Sequence, residues 1–362
     1  MEGIQVYNFK VRSSIHDYEV QFIENTKLVL LNELKEGDFI IIDSKIKELY
    51  LHDFREILDL HKNISIEPTE SQKSYHGVMP VIDQLIVNGF RKNHRLIGIG
   101  GGITQDVVAF ISSILYRGVS WLFFPTTLLA QGDSCIGSKT SINFNEFKNQ
   151  IGGFYPPSKI FINVRFLDTL PESELRSGLG EMCHYFIVSG EDDFKRFKAD
   201  YPAALVDKDI LTSLIARCLE IKRGYIEIDE FDTKERMVFN YGHTFGHAIE
   251  SLTNYTIQHG IAVSYGMDIA NFISVKLNYI PELTRLEIRE LLEVIWAGTD
   301  ISGISVEKYK IALSKDKKNL GHQLGLILNK GYGNIVKELR PMDSDFTKWL
   351  NEYFINELIV KQ

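Results

Sequence analysis

The chain has 362 residues, a formal charge of −8, 44% hydrophobic and 24% charged residues. This is the composition of a globular chain long enough for two domains, and it argues against a general polyanion binder, a disordered chain or a membrane protein. Cys135, Cys183 and Cys218 are too few and too scattered for a disulfide framework or a CxxC zinc module, and "MEGIQVYNFKVRSS" lacks the basic flank and apolar stretch of a leader. The expectation is a cytoplasmic protein with no nucleic-acid or membrane partner.

In chain order, "DFIIID" (38–43) predicts a buried strand. Asp43 at its end either accepts hydrogen bonds from ribose hydroxyls or simply terminates the strand. "RLIGIGGG" (95–102) predicts a second strand running into a glycine turn, and "TQDVVAFISSILY" (104–116) has helical spacing. Glycines there let a backbone approach a phosphate, which the following helix start meets with free amides; a tight packing turn is the other reading. "SWLFFP" and "KIFIN" predict further strands. Between them, the polar segment 131–157 carries Asp133, Lys139, Lys148 and Asn149 and reads as a glycine-bearing loop, a candidate cleft wall.

Near "LDTLPESEL" (167–175) the pattern changes to helices, predicted at 174–190, 205–226, 243–253, 260–275 and 284–296. The expected organisation is α/β plus α: an α/β domain over 1–170 and a mainly helical domain over 171–362. Within the helical part, Glu181 and His184 stand three apart, His243 and His247 four apart, and His259 begins a helix. A catalytic metal needs about three oxygen or nitrogen donors. Five candidates are available, and the spacing alone does not choose among them.

Several ordered blocks carry a resemblance: "GGGITQDVVAFISSILYRG", "FPTTLLAQGDSCIGSKTSIN", "KNQIGGFYPP", "LPESELRSGLGE", "RMVFNYGHTFGHAIE" and "QHGIAVSYGM". Together they resemble the 3-dehydroquinate synthase family of sugar-phosphate cyclases, from at least Gly98 to Met267. The resemblance implies a Rossmann-like NAD-binding domain, a helical metal-binding domain, a cleft between them and a homodimer. It implies NAD contacts at Asp43, Glu70, Lys73, Gly101, Gly102, Asp106, Thr126, Thr127, Lys139 and Lys148, and along Phe166, Leu167, Asp168 and Thr169. It further implies Zn2+, or another divalent metal such as Co2+, held by Glu181, His243 and His259, with His247 on the substrate side.

The implied activity converts 3-deoxy-D-arabino-heptulosonate 7-phosphate, a small phosphorylated sugar acid, to 3-dehydroquinate and phosphate. NAD is transiently reduced, phosphate is eliminated, hydride returns, and the opened ring closes by an aldol step. By the same resemblance Lys139, Asn149, Asn240, His247 and a lysine of "KDKKN", with Lys318 the candidate, position phosphate and ring oxygens. Asp133 supports the redox geometry, Lys222 and Arg236 meet substrate polar groups, and Arg117 reaches the neighbouring subunit's site. Arginine suits a carboxylate because its planar fork matches two oxygens.

Two departures stand out. His184 takes the place of a lysine three residues after the expected glutamate ligand, which changes reach and charge. Ser138 and Ser141 replace glycines of the family pattern. These departures keep two alternatives open: a related cyclase with a different sugar phosphate, and a noncatalytic NAD-binding regulatory scaffold.

Overall fold

The computed structural model describes residues 4–145, 147–315, 319–321 and 323–358. The chain forms two compact units: the first takes residues up to Pro171 together with Ile215–Phe231, the second Glu172–Leu214 and the residues from Asp232 onward. The stretch 215–231 thus groups with the α/β unit, although its helical periodicity reads as part of the helical one.

In the first unit one sheet has the strand order β1 (Phe9–Val11), β2 (Tyr18–Phe22), β9 (Lys159–Ile162), β6 (Trp121–Pro125), β5 (Leu96–Gly100), β3 (Phe39–Asp43) and β4 (Asn63–Ile66). Only the β1–β2 pair is antiparallel. The helices α1 (Thr26–Glu33), α2 (Ser44–Leu49), α3 (Leu51–Leu60), α4 (Tyr75–Val87) and α5 (Gly102–Ile114) lie between strands in sequence. Every residue of β3, β5 and β6 is buried. Parallel strands covered on both faces need such unbroken apolar runs, which is why these strands are legible as "FIII", "LIGIG" and "WLFF". Ile40, Ile42, Ile97, Ile99, Leu122, Phe124 and Phe161 share one core cluster, each contributing about 1.5–3 kcal/mol by its burial.

The segment 131–157 is not a loop. A π-helical turn, Ala130–Ser134, leads to the hairpin of β7 (Lys139–Phe144) and β8 (Phe147–Phe154). β8 is mostly exposed and lacks the apolar alternation that marks a half-buried strand. Polar ties hold it instead, as described below.

The stretch 215–231 is fastened to first-unit side chains. Arg12 Nη2 lies 2.8 Å from Glu227 Oε2, the Ser13 hydroxyl donates to Glu230 Oε1 at 2.5 Å, and the rings of Phe154 and Phe231 meet edge-on at 5.1 Å.

The second unit contains α6 (Glu172–Ser189), α7 (Glu191–Ala204), the start of α8 (Lys208–Ile226), then α9 (His243–Leu252), α10 (His259–Lys276), α11 (Glu282–Ile295), α12 (Val306–Ser314) and α13 (Ser344–Glu352). A hairpin of β10 (Gln323–Asn329) and β11 (Ile335–Pro341), which the helical periodicity does not announce, completes it. α10 is buried continuously from Gly260 to Ser274, the mark of a helix at the centre of its own unit. Its buried polar residues are paired: Asp268 with Arg285 at 3.1 Å, and Asn271 Oδ1 with the Tyr241 hydroxyl at 2.5 Å and Asn329 Nδ2 at 3.0 Å.

Two glycines of α10 allow backbone contact with its neighbours. A Cβ at Gly260 would stand 1.8 Å from the Ser177 carbonyl oxygen of α6, and one at Gly266 would stand 1.9 Å from that of Gly242, just ahead of α9. No real side chain tolerates such distances, so α6 and α9 reach α10 only because these positions lack Cβ.

Candidate metal centre and cofactor-binding residues

Close helix packing sets the first constellation. Glu181 lies one turn after Ser177 on α6, His243 opens α9 and His259 opens α10, so the two backbone approaches bring three donors together. His243 Nε2 is 3.2 Å from Glu181 Oε1 and His259 Nε2 is 3.5 Å from Glu181 Oε2. All three ligand atoms lie within 4.8 Å of one another. Burial alone would raise the Glu181 pKa, yet the facing His243 and then His259 outweigh it and hold the carboxyl well below its ordinary range.

The residues fit a divalent cation. Glu181 Oε2 is buried and accepts no hydrogen bond among the described residues, a cost of roughly 1–3 kcal/mol that a bound cation would remove. One carboxylate and two imidazoles are also a usual donor set for a catalytic zinc site, whose fourth position stays open.

The other candidates in this unit are placed differently. His247 is exposed and lies outside the Glu181 group; it belongs to an overlapping set with Glu250 and His259. His184 is 0% exposed, its Nδ1 3.7 Å from Glu181 Oε1 and its ring against Tyr185, Phe239 and His243. Cys183 is buried, and burial pushes its thiol pKa up, away from thiolate chemistry. Arg236 is 4% exposed in a 3-10 turn that ends at Asn240, whose side-chain amide donates to Met237 O at 3.1 Å.

In the first unit, the N-terminus of α5 follows β5 directly. Gly101 is its N-cap and offers no side-chain cap, and a Cβ on Gly102 would meet nothing within 4 Å. Unclaimed amides beside open space are a fit for a diphosphate. Thr126 continues the strand-end layer, its amide donating to Gly100 O at 3.0 Å, and Thr127 Oγ1 accepts from Ala130 N at 3.2 Å. Asp43 caps α2 through Oδ1, which accepts from the amides of Lys45 and Ile46 at 2.8 and 3.3 Å. Both sequence readings of this residue, strand terminator and acceptor for a ligand, remain compatible, because the cap uses one oxygen.

Glu70, Lys73, Asp106 and Lys148 form a linked set. Lys73 Nζ lies 2.6 Å from Asp106 Oδ2, Lys148 Nζ is 3.1 Å from Glu70 Oε1, and Asp106 Oδ1 accepts from Ser141 N at 3.2 Å. Asn143, absent from the sequence candidates, is the joint between them. Its Nδ2 donates to Glu70 Oε2 at 2.7 Å, its Oδ1 accepts from the Asn149 amide at 3.0 Å, and its own amide donates to Lys73 O at 2.8 Å. An asparagine in a polar stretch gives no sequence signal, and only the hairpin register exposes its role. The Ser141 hydroxyl donates to Asn149 Oδ1 at 3.0 Å. Ser138 is buried in left-handed backbone, φ 64°.

Lys222 is 5% exposed and donates to both the carbonyl and Oδ1 of Asp133, at 2.5 and 2.8 Å. Lys139 is exposed at the start of β7. Phe166 and Leu167 are core residues, with Phe166 packed edge-on to Tyr50 at 5.1 Å, while Thr169 Oγ1 lies 3.1 Å from the Tyr50 hydroxyl. Asp168 belongs to the same 3-10 helix, Val164–Thr169. Arg117 follows Tyr116 with both in left-handed backbone, φ 63° and 51°, a conformation that costs about 1–2 kcal/mol per non-glycine residue. Lys318 lies outside the described residues.

Comparison with known proteins decides the family. A model for the 3-dehydroquinate synthase N-terminal region matches residues 63–177, and one for the C-terminal region matches residues 178–319. The chain belongs to the 3-dehydroquinate synthase family. It is 31% identical to the 3-dehydroquinate synthase of Campylobacter concisus, with 96% of this chain and 99% of that protein covered. It is 36% identical to that of Syntrophotalea carbinolica over 81% and 82% of the two chains. Among solved structures, a 2-deoxy-scyllo-inosose synthase complexed with carbaglucose-6-phosphate, NAD+ and Co2+ aligns with a TM-score of 0.85 at 24% identity, covering 96% of this chain and 99% of that one. A Streptomyces hygroscopicus 2-epi-5-epi-valiolone synthase with NAD+ and Zn2+ bound gives 0.82 at 23%, covering 94% and 97%. At these identities the two structures establish the shared fold. No helix among the described residues is long and apolar enough to cross a membrane.

Proposed function

We propose that this member of the 3-dehydroquinate synthase family converts 3-deoxy-D-arabino-heptulosonate 7-phosphate to 3-dehydroquinate and phosphate. The observation that carries the reading is the convergence of Glu181, His243 and His259, in a chain similar to 3-dehydroquinate synthases along nearly its whole length. When bound, NAD supplies a hydride acceptor that later returns the hydride, and a divalent cation such as Zn2+ or Co2+ supplies Lewis acidity toward a substrate hydroxyl.

The remaining work falls to the chain's own side chains. Glu181, His243 and His259 hold the cation. The α5 amides at Gly101 and Gly102 meet the cofactor's diphosphate, and the second oxygen of Asp43 meets a ribose hydroxyl. Glu70, Lys73, Asp106, Thr126, Thr127, Lys139, Lys148 and the 166–169 stretch shape the rest of that cofactor site. The nearly buried Lys222 ammonium, oriented by Asp133, and the Arg236 guanidinium bind substrate oxygens, with the arginine on the carboxylate. Lys139, Asn149, Asn240, His247 and Lys318 position phosphate and ring oxygens, so that charge on the departing phosphate is offset as it develops. A homodimer in which Arg117 serves a neighbouring subunit, and a cytoplasmic location, belong to the same proposed reading.

His184 favours one second reading. It stands buried where the family resemblance places a lysine, which supports a cyclase acting on another sugar phosphate. Incubation with the heptulosonate phosphate, NAD and Zn2+ is expected to release one phosphate per dehydroquinate formed. Folded, NAD- and metal-loaded protein that turns over a different sugar phosphate instead would establish the second reading. Protein that binds NAD, turns over none and reproducibly engages a partner would favour a regulatory scaffold. His184→Lys is expected to shift the substrate preference if this residue retunes specificity, and to depress all substrates equally if it only packs.

A further inference from the structure

The two histidines of the metal centre are oriented by different means. His243 Nδ1 donates to the backbone carbonyl of Tyr241 at 3.2 Å, leaving Nε2 toward Glu181. That carbonyl sits in a buried frame, because the Tyr241 hydroxyl is itself tied to Asn271. His259 meets a side chain instead: Nδ1 lies 3.1 Å from Glu250 Oε2. An ionised carboxylate only accepts, so the proton is on Nδ1 and Nε2 is the atom left for a cation.

We propose that Glu250 is the positioning residue of this metal centre, holding His259 in the tautomer and ring orientation that turn Nε2 toward Glu181. Glu250 lies seven residues after His243 on α9, on the same helical face. Its side chain is 13% exposed against 29% for His259, so the more buried partner fixes the more open one. The same contact bears on a second, overlapping donor set. Ligand atoms of His247, Glu250 and His259 also lie within 4.8 Å of one another, and a cation bound there through Glu250 Oε2 and His259 Nδ1 would have to displace that proton. Glu250 therefore directs His259 Nε2 to the Glu181 set.

This inference rests on the proposed Glu181–His243–His259 set and is tested separately from it. Metal-stripped protein is titrated with Co2+ alone, followed by its visible absorption and by competition with a chelator, while the metal-free melting temperature is recorded in parallel. Wild type is expected to take about one Co2+ per chain. Glu250→Ala is expected to weaken Co2+ binding roughly 10- to 100-fold, the usual loss when a partner behind a metal-bound histidine is removed, with the stoichiometry and the metal-free melting temperature unchanged. Glu250→Gln keeps an oxygen acceptor without the charge, so its affinity should fall between the two. Turnover of both variants should recover as Co2+ is raised, because the defect lies in metal occupancy.

Equal Co2+ affinity in wild type and Glu250→Ala overturns the proposal. So does a wild type holding two Co2+ of which Glu250→Ala loses one, since Glu250 would then be a ligand of its own ion. His243→Ala separates the two levels. If it binds Co2+ like wild type, the metal set itself is wrong; if it loses Co2+ while Glu250→Ala does not, only the role of Glu250 fails.

Discussion

Around Glu181 the helices that carry the donors are set by backbone packing, whereas around Glu70 the polar side chains are held by one another. In the second unit, α6 and α9 touch α10 at Gly260 and Gly266, and the metal donors come along with those helices. In the first unit, Glu70, Lys73, Asp106 and Lys148 are joined to a hairpin whose β8 strand is mostly exposed, by side-chain hydrogen bonds and ion pairs through Asn143. Close-packed backbones leave little freedom, because interiors resist even one added methyl. Polar ties near the surface exchange with water at small net cost. The first arrangement suits a group that must present fixed ligands, and the second a set of side chains that can exchange partners.

The contrast can be broken most directly at Gly260. Gly260→Ala places a Cβ 1.8 Å from the Ser177 carbonyl, and the forced separation of α6 from α10 should cost about 3 kcal/mol. Urea denaturation should show that loss together with loss of Co2+ binding. Unchanged stability would mean the backbone contact is not what sets the metal donors.

Asn143→Ala should have a smaller effect. It removes the side-chain bonds to Glu70 and to the Asn149 amide, at about 1 kcal/mol each. The expected result is an NAD dissociation constant raised about tenfold, measured by calorimetry, with metal binding intact. A loss of stability well beyond those two bonds, or a loss of Co2+ binding, would erase the distinction between the two regions.

Lys148→Ala should do least. Its ion pair with Glu70 has side chains 35% and 51% exposed, a setting worth less than about 1 kcal/mol. The change in melting temperature should be small and should shrink as salt is raised. A cost rivalling that of Gly260→Ala would show the hairpin to be as tightly specified as the helices.

The same contrast explains what the sequence discloses. β3, β5 and β6 are legible because full burial demands unbroken apolar runs. The glycine turn ahead of α5 is legible because strand, turn and helix adjoin in the chain. The β7–β8 hairpin is not, since Asn143, Ser141 and Lys148 hold it by polar bonds that leave no apolar period. The four-residue spacing of His243 and His247 suggests one shared ion, yet the geometry joins His243 to Glu181 and His259 through helix packing that no local pattern records. Glu250 is hidden for a similar reason: an acid on a helix face looks like solvated surface until the ring of His259 is set beside it.

The split assignment of α8 bears on how the chain is made. The α/β unit owns Ile215–Phe231, and through it Lys222 for Asp133, Glu227 for Arg12 and Glu230 for Ser13. A ribosome that has just delivered Pro171 has supplied the whole parallel sheet but none of these partners. They arrive 51 to 59 residues later, roughly 3–12 s at ordinary elongation rates. During that interval Asp133 waits without its lysine, so the nascent first unit becomes complete only after much of the helical unit's first segment has already emerged.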